Sequence, residues 1–310
     1  MLTRRAVLQA LSSALAKPTH KITPVDFAVP PDTCDCHTHI FGDSKQFPFS
    51  PARAYTPEPA SPQDMAALHR ALHVKRVVIV TPSVYGTDNS ATLYGIKMRG
   101  ASARGVAVID EKTPETDLDS MAAAGIRGIR LNLATGKQTD LPVARQRFAQ
   151  AVDRIKSRRW HLQIYTGLAL IAGIKDLVLA SPVPVVFDHF GGMKTSLGPE
   201  QPGFADLVDL LRYGNAYVKV SGAYRASTQA PDYPDVAPYA KGLILANPDR
   251  VLWGTDWPHP NSVPSSDVAK ISPPLPIDDG RLFNQFAIWA PDPQIRRKIL
   301  VDNPARLYGF

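Results

Sequence analysis

The chain has 310 residues, of which 44% are hydrophobic and 20% are charged, with a formal net charge of +7. This composition is typical of a globular protein with a sizeable core. It excludes a membrane-spanning helix, because no run of 18 apolar residues occurs. The basic residues are scattered and are not interleaved with aromatic residues, so we expect a mildly basic surface and no nucleic-acid partner. Attraction of small anionic substrates is the functional alternative.

The two cysteines, Cys34 and Cys36, are too close in sequence for a normal disulfide between them. On a strand, both side chains would point to the same face. The sequence therefore predicts no disulfide framework, and cysteine usage does not decide the compartment.

Residues 1–16 resemble a twin-arginine export signal. Arg4 and Arg5 precede a short apolar stretch that ends in Ala-Leu-Ala at residues 14–16. The alternative is an ordinary amphipathic extension. We expect a periplasmic protein if the signal acts and a cytoplasmic one otherwise. Residues 17–32 contain four prolines and little periodicity, which is typical of an N-terminal arm.

From Thr33 to the C-terminus, short β-branched runs alternate with helical patterns, which is typical of parallel βαβ units. The predicted strands are 34–39, 76–80, 105–109, 128–133, 162–165, 183–188, 217–221 and 251–255. The predicted helices include 63–72, 142–157, 204–211, 234–246 and 279–300. Eight such units predict a single (β/α)₈ TIM barrel over residues 33–310. A doubly wound open sheet is the alternative, but no G-x-G-x-x-G motif or P-loop follows any strand.

Two long loops follow predicted strands, at 41–62 and at 257–278. Loops of that length inside one domain are usually functional. In a barrel, the loops after the strands lie at the C-terminal face, where active sites are found. We therefore expect the active site there.

Three groups of polar residues come at the ends of predicted strands. His37 and His39 alternate on one face with Asp35, and two such imidazoles can bind a metal or donate to a substrate oxygen. His189 ends an apolar strand, and Asp256 ends the eighth, where a carboxylate can activate water. Each residue alone also fits a structural role. Together they favour one site, because the first and last strands of a closed barrel are neighbours.

The motifs D-x-H-x-H at 35–39, D-H-x-G at 188–191 and G-T-D-W-P-H-P at 254–260 resemble those of the amidohydrolase superfamily. More narrowly, they are similar to the branch that contains 2-pyrone-4,6-dicarboxylate lactonase and sugar lactonases. The segments 37–42, 47–49 and 55–57 carry the same resemblance, which extends from Thr33 to the C-terminus.

The resemblance implies roles for individual residues. His37, His39 and His189 would surround a lactone carbonyl, and Asp256 would be the catalytic carboxylate. It further implies a set of substrate-binding residues: Tyr55, Ser83, Arg130, Tyr165, Arg225 and Asn261. The residue types suit these roles, since arginine binds carboxylates bidentately and buried donors stabilise a developing oxyanion. Surface ion pairs for the two arginines and core packing for the two tyrosines are the alternatives.

The sequence does not predict a binuclear metal centre. The fourth strand ends in Arg130-Leu131-Asn132 and the fifth at Tyr165, so neither offers a bridging ligand. A single zinc on His37, His39, His189 and Asp256 is chemically reasonable. The resemblance implies relatives that work without a metal, and we favour no cofactor.

Two positions depart from the lactonase pattern. Gly136, beside Lys137, stands about where the dicarboxylate lactonase has an arginine, and Gly191-Gly192 replace its Gly-Arg. Fewer arginines predict a lactone with fewer acid groups than a pyrone dicarboxylate.

The sequence thus predicts a hydrolase that opens the ester bond of a small, anionic lactone. The alternatives are a sugar-acid lactonase, a lactone isomerase, a mononuclear zinc hydrolase or decarboxylase on the same scaffold, and a non-catalytic organic-acid binding protein. The expected partner is a small-molecule lactone substrate, and the sequence does not decide whether the chain forms a homo-oligomer.

Overall fold

The computed structural model describes residues 22–134 and 140–310. The predicted export signal at 1–16, the first part of the arm, and the departures at Gly136 and Lys137 lie outside these residues. Over the described ranges, no helix is long and apolar enough to cross a bilayer.

Eight parallel strands form the predicted barrel, in the spatial order β1-β3-β4-β5-β6-β7-β8-β9. Their bounds are β1 Cys34–Thr38, β3 Arg76–Val80, β4 Ala103–Ala107, β5 Ile126–Asn132, β6 His161–Tyr165, β7 Val185–Phe187, β8 Ala216–Ser221 and β9 Val251–Gly254. Two short strands, β2 Thr56–Pro57 and β10 Ile271–Ser272, pair outside the barrel and join the two long loops. The fold prediction is confirmed, with strand ends shifted by one or two residues.

The helices alternate with these strands around the barrel. They are α1 Pro62–Ala71, α2 Ser90–Arg99, α3 Glu115–Ala123, α4 Leu141–Ile155, α5 Leu168–Gly173, α6 Lys175–Leu179, α7 Phe204–Tyr213, α8 Ala223–Ala226, α9 Ala237–Ala246, α10 Asp279–Trp289, α11 Pro293–Arg297 and α12 Asn303–Tyr308. Helix α1 begins with a capping box, in which Ser61 Oγ accepts from the Asp64 amide and the Asp64 carboxylate accepts from the Ser61 amide.

Two predicted helices are wrong in extent. The segment 234–246 begins as a 3₁₀ turn, Pro234–Val236, and only then becomes α9. The segment 279–300 is divided into α10, α11 and the π-helical turn Lys298–Asp302. Pro291 and Pro293 explain the break between α10 and α11, because proline lacks the N–H that an uninterrupted helix needs and clashes with the preceding turn.

Side-chain alternation along the strands separates two parts of the core. Val77 and Ile79 pack in the large cluster with the surrounding helices, whereas Val78 and Val80 pack in a smaller cluster with Cys36. Because successive strand residues face opposite sides, the smaller cluster fills the barrel interior. The same alternation on the other strands turns Gln163 and Lys219 inward, so a polar layer also lies within the barrel.

The described end of the N-terminal arm packs against α10. Thr23 donates from its amide and hydroxyl to the carboxylate of Asp278, at 2.9 and 2.6 Å, and the Phe27 ring lies edge-on to Phe283. The arm therefore lies on the outer helical layer.

Candidate active site

The four residues predicted to do the chemistry meet at the C-terminal ends of the strands. The Nε2 atoms of His37 and His39 lie 3.8 and 3.7 Å from Asp256 Oδ1. His189 Nε2 lies 3.8 Å from the other oxygen, Oδ2. All four side chains are buried. These separations are longer than hydrogen bonds, so the three imidazoles face the carboxylate across a small space.

Closure of the barrel brings the first and last strands together. The amide of Asp256 donates to the carbonyl oxygen of His37, and the amide of His39 donates to that of Trp257, both at 2.9 Å. Asp256 and His189 have φ angles of 65° and 47°, in the left-handed region that non-glycine residues rarely adopt. Such conformations are often held at functional sites, where they aim a side chain.

Asp35 does not join this site, contrary to the predicted alternation. The pairing of β1 with β3 shifts between Asp35 and Thr38. The Asp35 carboxylate instead accepts from His69 Nε2 at 3.2 Å and from Thr255 Oγ1 at 2.5 Å. The irregularity breaks the strict period of two that the sequence suggests.

The Asp256 carboxylate is held on one side only. Its Oδ2 accepts from Tyr224 Oη at 2.7 Å and from Arg225 Nε at 2.5 Å. Its Oδ1 is buried without a hydrogen-bond partner among the described residues. Burial alone raises the pKa of Asp256, but the Arg225 charge and the three imidazoles bring that pKa well below its usual range. The side chain is therefore an ionised carboxylate with one oxygen available.

A second buried carboxylate, Asp188, lies beneath the site. Its Oδ2 accepts from Arg130 Nε and Gln163 Nε2, both at 3.1 Å, and its Oδ1 lies 3.3 Å from Lys219 Nζ. Burial raises the pKa of Asp188, but Lys219, His37 and Arg130 together lower it well below the ordinary value. This carboxylate also stays ionised.

The position of the proton on His39 follows from its partner. His39 Nδ1 lies 2.7 Å from the carbonyl oxygen of Val80, which can only accept, so Nδ1 carries the proton. Burial lowers the pKa of His39 to about 4, which leaves the ring neutral near pH 7. Its Nε2 therefore presents a lone pair toward Asp256.

The other two imidazoles are also neutral. Burial lowers the pKa of His189 to about 4 and that of His37 well below its ordinary value. His189 Nδ1 is 2.9 Å from Ser221 Oγ, which can donate or accept. His37 Nδ1 is 3.2 Å from both Lys219 Nζ and Asp188 Oδ1.

A cavity opens onto these groups. Its lining includes His39, Tyr55, Pro82, Ser83, Arg130, Asn132, Tyr165, His189, Arg225, Asp256, Pro260 and Ser262. Five of the six predicted substrate-binding residues line it. The sixth, Asn261, is not among the lining residues, although both of its neighbours are. His37 is not among the lining residues, and its Nδ1 contacts Lys219 and Asp188 in the barrel interior.

Sequence reasoning missed three residues that shape the site. Tyr224 precedes the predicted Arg225, Ser262 follows the predicted Asn261, and Lys219 is an isolated lysine in the otherwise apolar strand β8. The lysine left a signal in the sequence, because a charged residue in the middle of an apolar strand is expected to be buried and to need a buried partner.

The spacing of two groups of ligands is compatible with a metal ion. The donor atoms of His37, His39 and Asp256 lie within 4.8 Å of one another, as do those of His37, Asp188 and His189. His39 shows a typical arrangement of a metal ligand, since its other nitrogen donates to a backbone carbonyl. His37 does not, because the ammonium of Lys219 lies against its other nitrogen.

Comparisons with known proteins agree with this architecture. The family model described as Amidohydrolase matches residues 34–310. The chain is 34% identical over 297 residues to a 4-sulfomuconolactone hydrolase of Rhizobium radiobacter, covering 94% of this chain and 95% of that protein. It is 35% identical over 291 residues to a 2-pyrone-4,6-dicarboxylate hydrolase of Comamonas testosteroni, covering 91% and 92%. An apo crystal structure from Agrobacterium tumefaciens superposes with a TM-score of 0.77 at 28% identity, covering 93% and 99%.

Proposed function

Because this chain belongs to the amidohydrolase family, we propose that it is a hydrolase that opens the ring of a small, anionic lactone. The two relatives described above are hydrolases whose names specify a lactone and a pyrone, and they match nearly the whole chain. The observation that carries the proposal is the Asp256 carboxylate. It is ionised, it is anchored through Oδ2, its Oδ1 has no hydrogen-bond partner among the described residues, and it lines the cavity.

The water that hydrolyses the ester would lie beside Asp256 Oδ1. Asp256 Oδ1 and His39 Nε2 both accept and are 3.7 Å apart, so a water molecule can donate one hydrogen to each. The water oxygen attacks the carbonyl carbon while Asp256 takes the proton as general base. The ring C–O bond then breaks, the departing ring oxygen takes the proton that Asp256 had accepted, and the product is a hydroxy acid with one added water.

The carbonyl oxygen becomes negative during the attack and needs donors. We assign this role first to His189, which lines the cavity and lies across Asp256 from His39. Its Nε2 donates when Nδ1 accepts from the Ser221 hydroxyl, an arrangement that their 2.9 Å separation allows. The role predicted for His39 changes, because its neutral ring presents a lone pair to the site.

The acid group of the substrate would bind at Arg130. Both predicted arginines line the cavity, but Arg225 is occupied by Asp256 and by the carbonyl oxygen of Pro260. Arg130 is bound through Nε to Asp188, and its guanidinium lies over the ring of Tyr165. Tyr55 and Ser83 also line the cavity. Asn261 stays a prediction, and Ser262 takes its place in the lining.

We propose that the reaction uses no metal. Three buried or half-buried cations, Lys219, Arg130 and Arg225, already compensate the two buried carboxylates. A divalent ion on His37 would lie next to the Lys219 ammonium, which repels it. Zinc on His37, His39, His189 and Asp256 is the competing arrangement, and it would act as a Lewis acid toward the carbonyl.

Purified protein tests the function with a panel of pyrone, muconolactone and aldonolactone substrates, followed by pH-indicator proton release and mass analysis of the product. Hydrolysis releases a proton and adds one water to the mass. An isomerase returns a product of unchanged mass, and a decarboxylase returns one that has lost carbon dioxide. Ligand recovered unchanged after binding would support an organic-acid binding protein and contradict the proposal.

A further inference from the structure

Lys219 is a fully buried cation in the barrel interior that the hydrolytic steps above do not use. Its Nζ lies 2.7 Å from Gln163 Oε1, 3.2 Å from His37 Nδ1 and 3.3 Å from Asp188 Oδ1. A lysine ammonium is a donor of three hydrogens and accepts none. Its three neighbours are therefore expected to be acceptors.

His37 Nδ1 has two competing neighbours. If Lys219 donates a hydrogen bond to His37 Nδ1, the ring proton of His37 lies on Nε2. If His37 Nδ1 instead donates to Asp188, Nδ1 carries the proton and Nε2 has a lone pair. Asp188 Oδ1 lies 3.2 Å from His37 Nδ1. It makes no hydrogen bond within the described part of the chain, so its position does not suit a hydrogen bond from the His37 ring. The contact between Lys219 and His37 has hydrogen-bonding geometry. The geometry therefore favours Lys219 as the partner.

We propose that Lys219 is a positioning residue that keeps the proton of His37 on Nε2, so that His37 donates into the space bordered by Asp256 and His39. The effect of this tautomer on catalysis rests on the proposed hydrolytic function. Its structural content, the tautomer of one imidazole, is independent of any substrate.

The tautomer decides what the space can bind. With the proton on Nε2, the space has one donor, His37, and two acceptors, Asp256 Oδ1 and His39 Nε2. A water molecule matches this set, because it donates twice and accepts from His37, with a second lone pair left for attack. With the proton on Nδ1, all three groups accept, and a water molecule has only two hydrogens to offer. The first arrangement holds a nucleophilic water, and the second suits a cation.

Histidine-selective ¹⁵N NMR on the full chain tests the tautomer without substrate. We expect His37 to give the Nε2–H pattern, with its signals identified by their loss in His37→Asn. His161 is an internal reference, because its Nδ1 lies 2.8 Å from the carbonyl oxygen of Arg127 and must carry the proton. An Nδ1–H pattern for His37 in the unmodified protein overturns the proposal, whether or not any lactone is hydrolysed.

Lys219→Met removes the donor while keeping a side chain of similar length. We expect His37 to switch to the Nδ1–H pattern and kcat to fall about 100-fold or more, with KM changed less than threefold. The matched control is Lys175→Met, which removes a lysine from an ion pair with Asp206 and Asp209 on the outer helices and should leave both readouts unchanged. A folded Lys219→Met protein with an unchanged His37 pattern contradicts the proposal. If that variant does not fold, the spectrum of the unmodified protein still decides.

Discussion

Arg225 Nε lies 2.5 Å from Asp256 Oδ2, and Tyr224 Oη lies 2.7 Å from the same oxygen. Two consecutive residues of α8 thus hold one oxygen of the carboxylate and leave Oδ1 to the site. An arginine that the sequence predicts as a substrate clamp is paired with the proposed base. This pairing separates the roles of the two cavity arginines and makes them testable.

Asp256→Asn keeps the size of the side chain and removes its charge. We expect kcat to fall at least about 1,000-fold, because the amide is not a base and leaves the half-buried Arg225 without a counter-charge. The measurement is steady-state hydrolysis of the best lactone. Asp117→Asn, an exposed change on α3, is the control and should retain full turnover. An Asp256→Asn enzyme with full turnover would falsify the assignment of the base.

Arg225→Gln should lower kcat much more than it raises KM. The change removes the charge that anchors Asp256 Oδ2, while Tyr224 still holds that oxygen. A loss of about 10- to 100-fold in kcat is expected from one charged hydrogen bond. If KM for an anionic lactone rises instead and kcat is preserved, Arg225 binds substrate as the sequence alone predicts.

Arg130→Gln should show the opposite pattern. Removing the proposed clamp is expected to raise KM for an anionic lactone by about 10- to 100-fold, because a charge-assisted contact is lost. A neutral ester of the same lactone is the matched substrate and should be affected far less. Equal losses for the charged and the neutral substrate would show that Arg130 supports Asp188 and does not bind the acid group.

The parts of this site that follow from sequence are those governed by strand order. His37, His39 and Asp256 were predictable neighbours because the first and last strands of a closed barrel meet. Contacts between side chains were not predictable in the same way. The alternation of side chains along the strand turns Lys219 inward, but it does not show that His37 and Gln163 accept hydrogen bonds from its ammonium group.

Loop conformation and local irregularities account for the other differences. Asp35 contacts His69 because the pairing of β1 shifts, and no residue pattern marks that shift. The loop after β9 places Ser262 in the cavity lining, and not the predicted Asn261, because backbone turns decide which side chain faces inward. The proton on His39 depends on the carbonyl oxygen of Val80, a partner on another strand.

Removal of metal is expected to leave turnover unchanged. Prolonged dialysis against a chelator, with metal content measured by mass spectrometry before and after, should give the same kcat within error. The reason is that Arg130 and Lys219 already neutralise Asp188, and Arg225 neutralises Asp256. Little negative charge is left to bind a divalent ion. Activity that disappears with the metal and returns with zinc would make His37, His39, His189 and Asp256 the candidate metal ligands.

Acid stability should depend on His161, a buried imidazole away from the cavity. Burial lowers the pKa of His161 to about 3, whereas an unfolded histidine titrates near 6.5. The folded chain thus binds fewer protons than the unfolded chain between these values, so its free energy of unfolding falls as the pH drops from 6.5 toward 3. One such group contributes about 1.4 kcal/mol per pH unit to the slope of the unfolding free energy against pH.

In His161→Phe, urea unfolding between pH 4 and 6 should give a slope of the unfolding free energy against pH that is smaller by about that amount. The lost hydrogen bond to Arg127 lowers stability at pH 7 but does not change this expectation. The exposed His73→Asn change should leave the slope unaltered, and an unaltered slope in His161→Phe would mean that His161 is protonated in the folded protein.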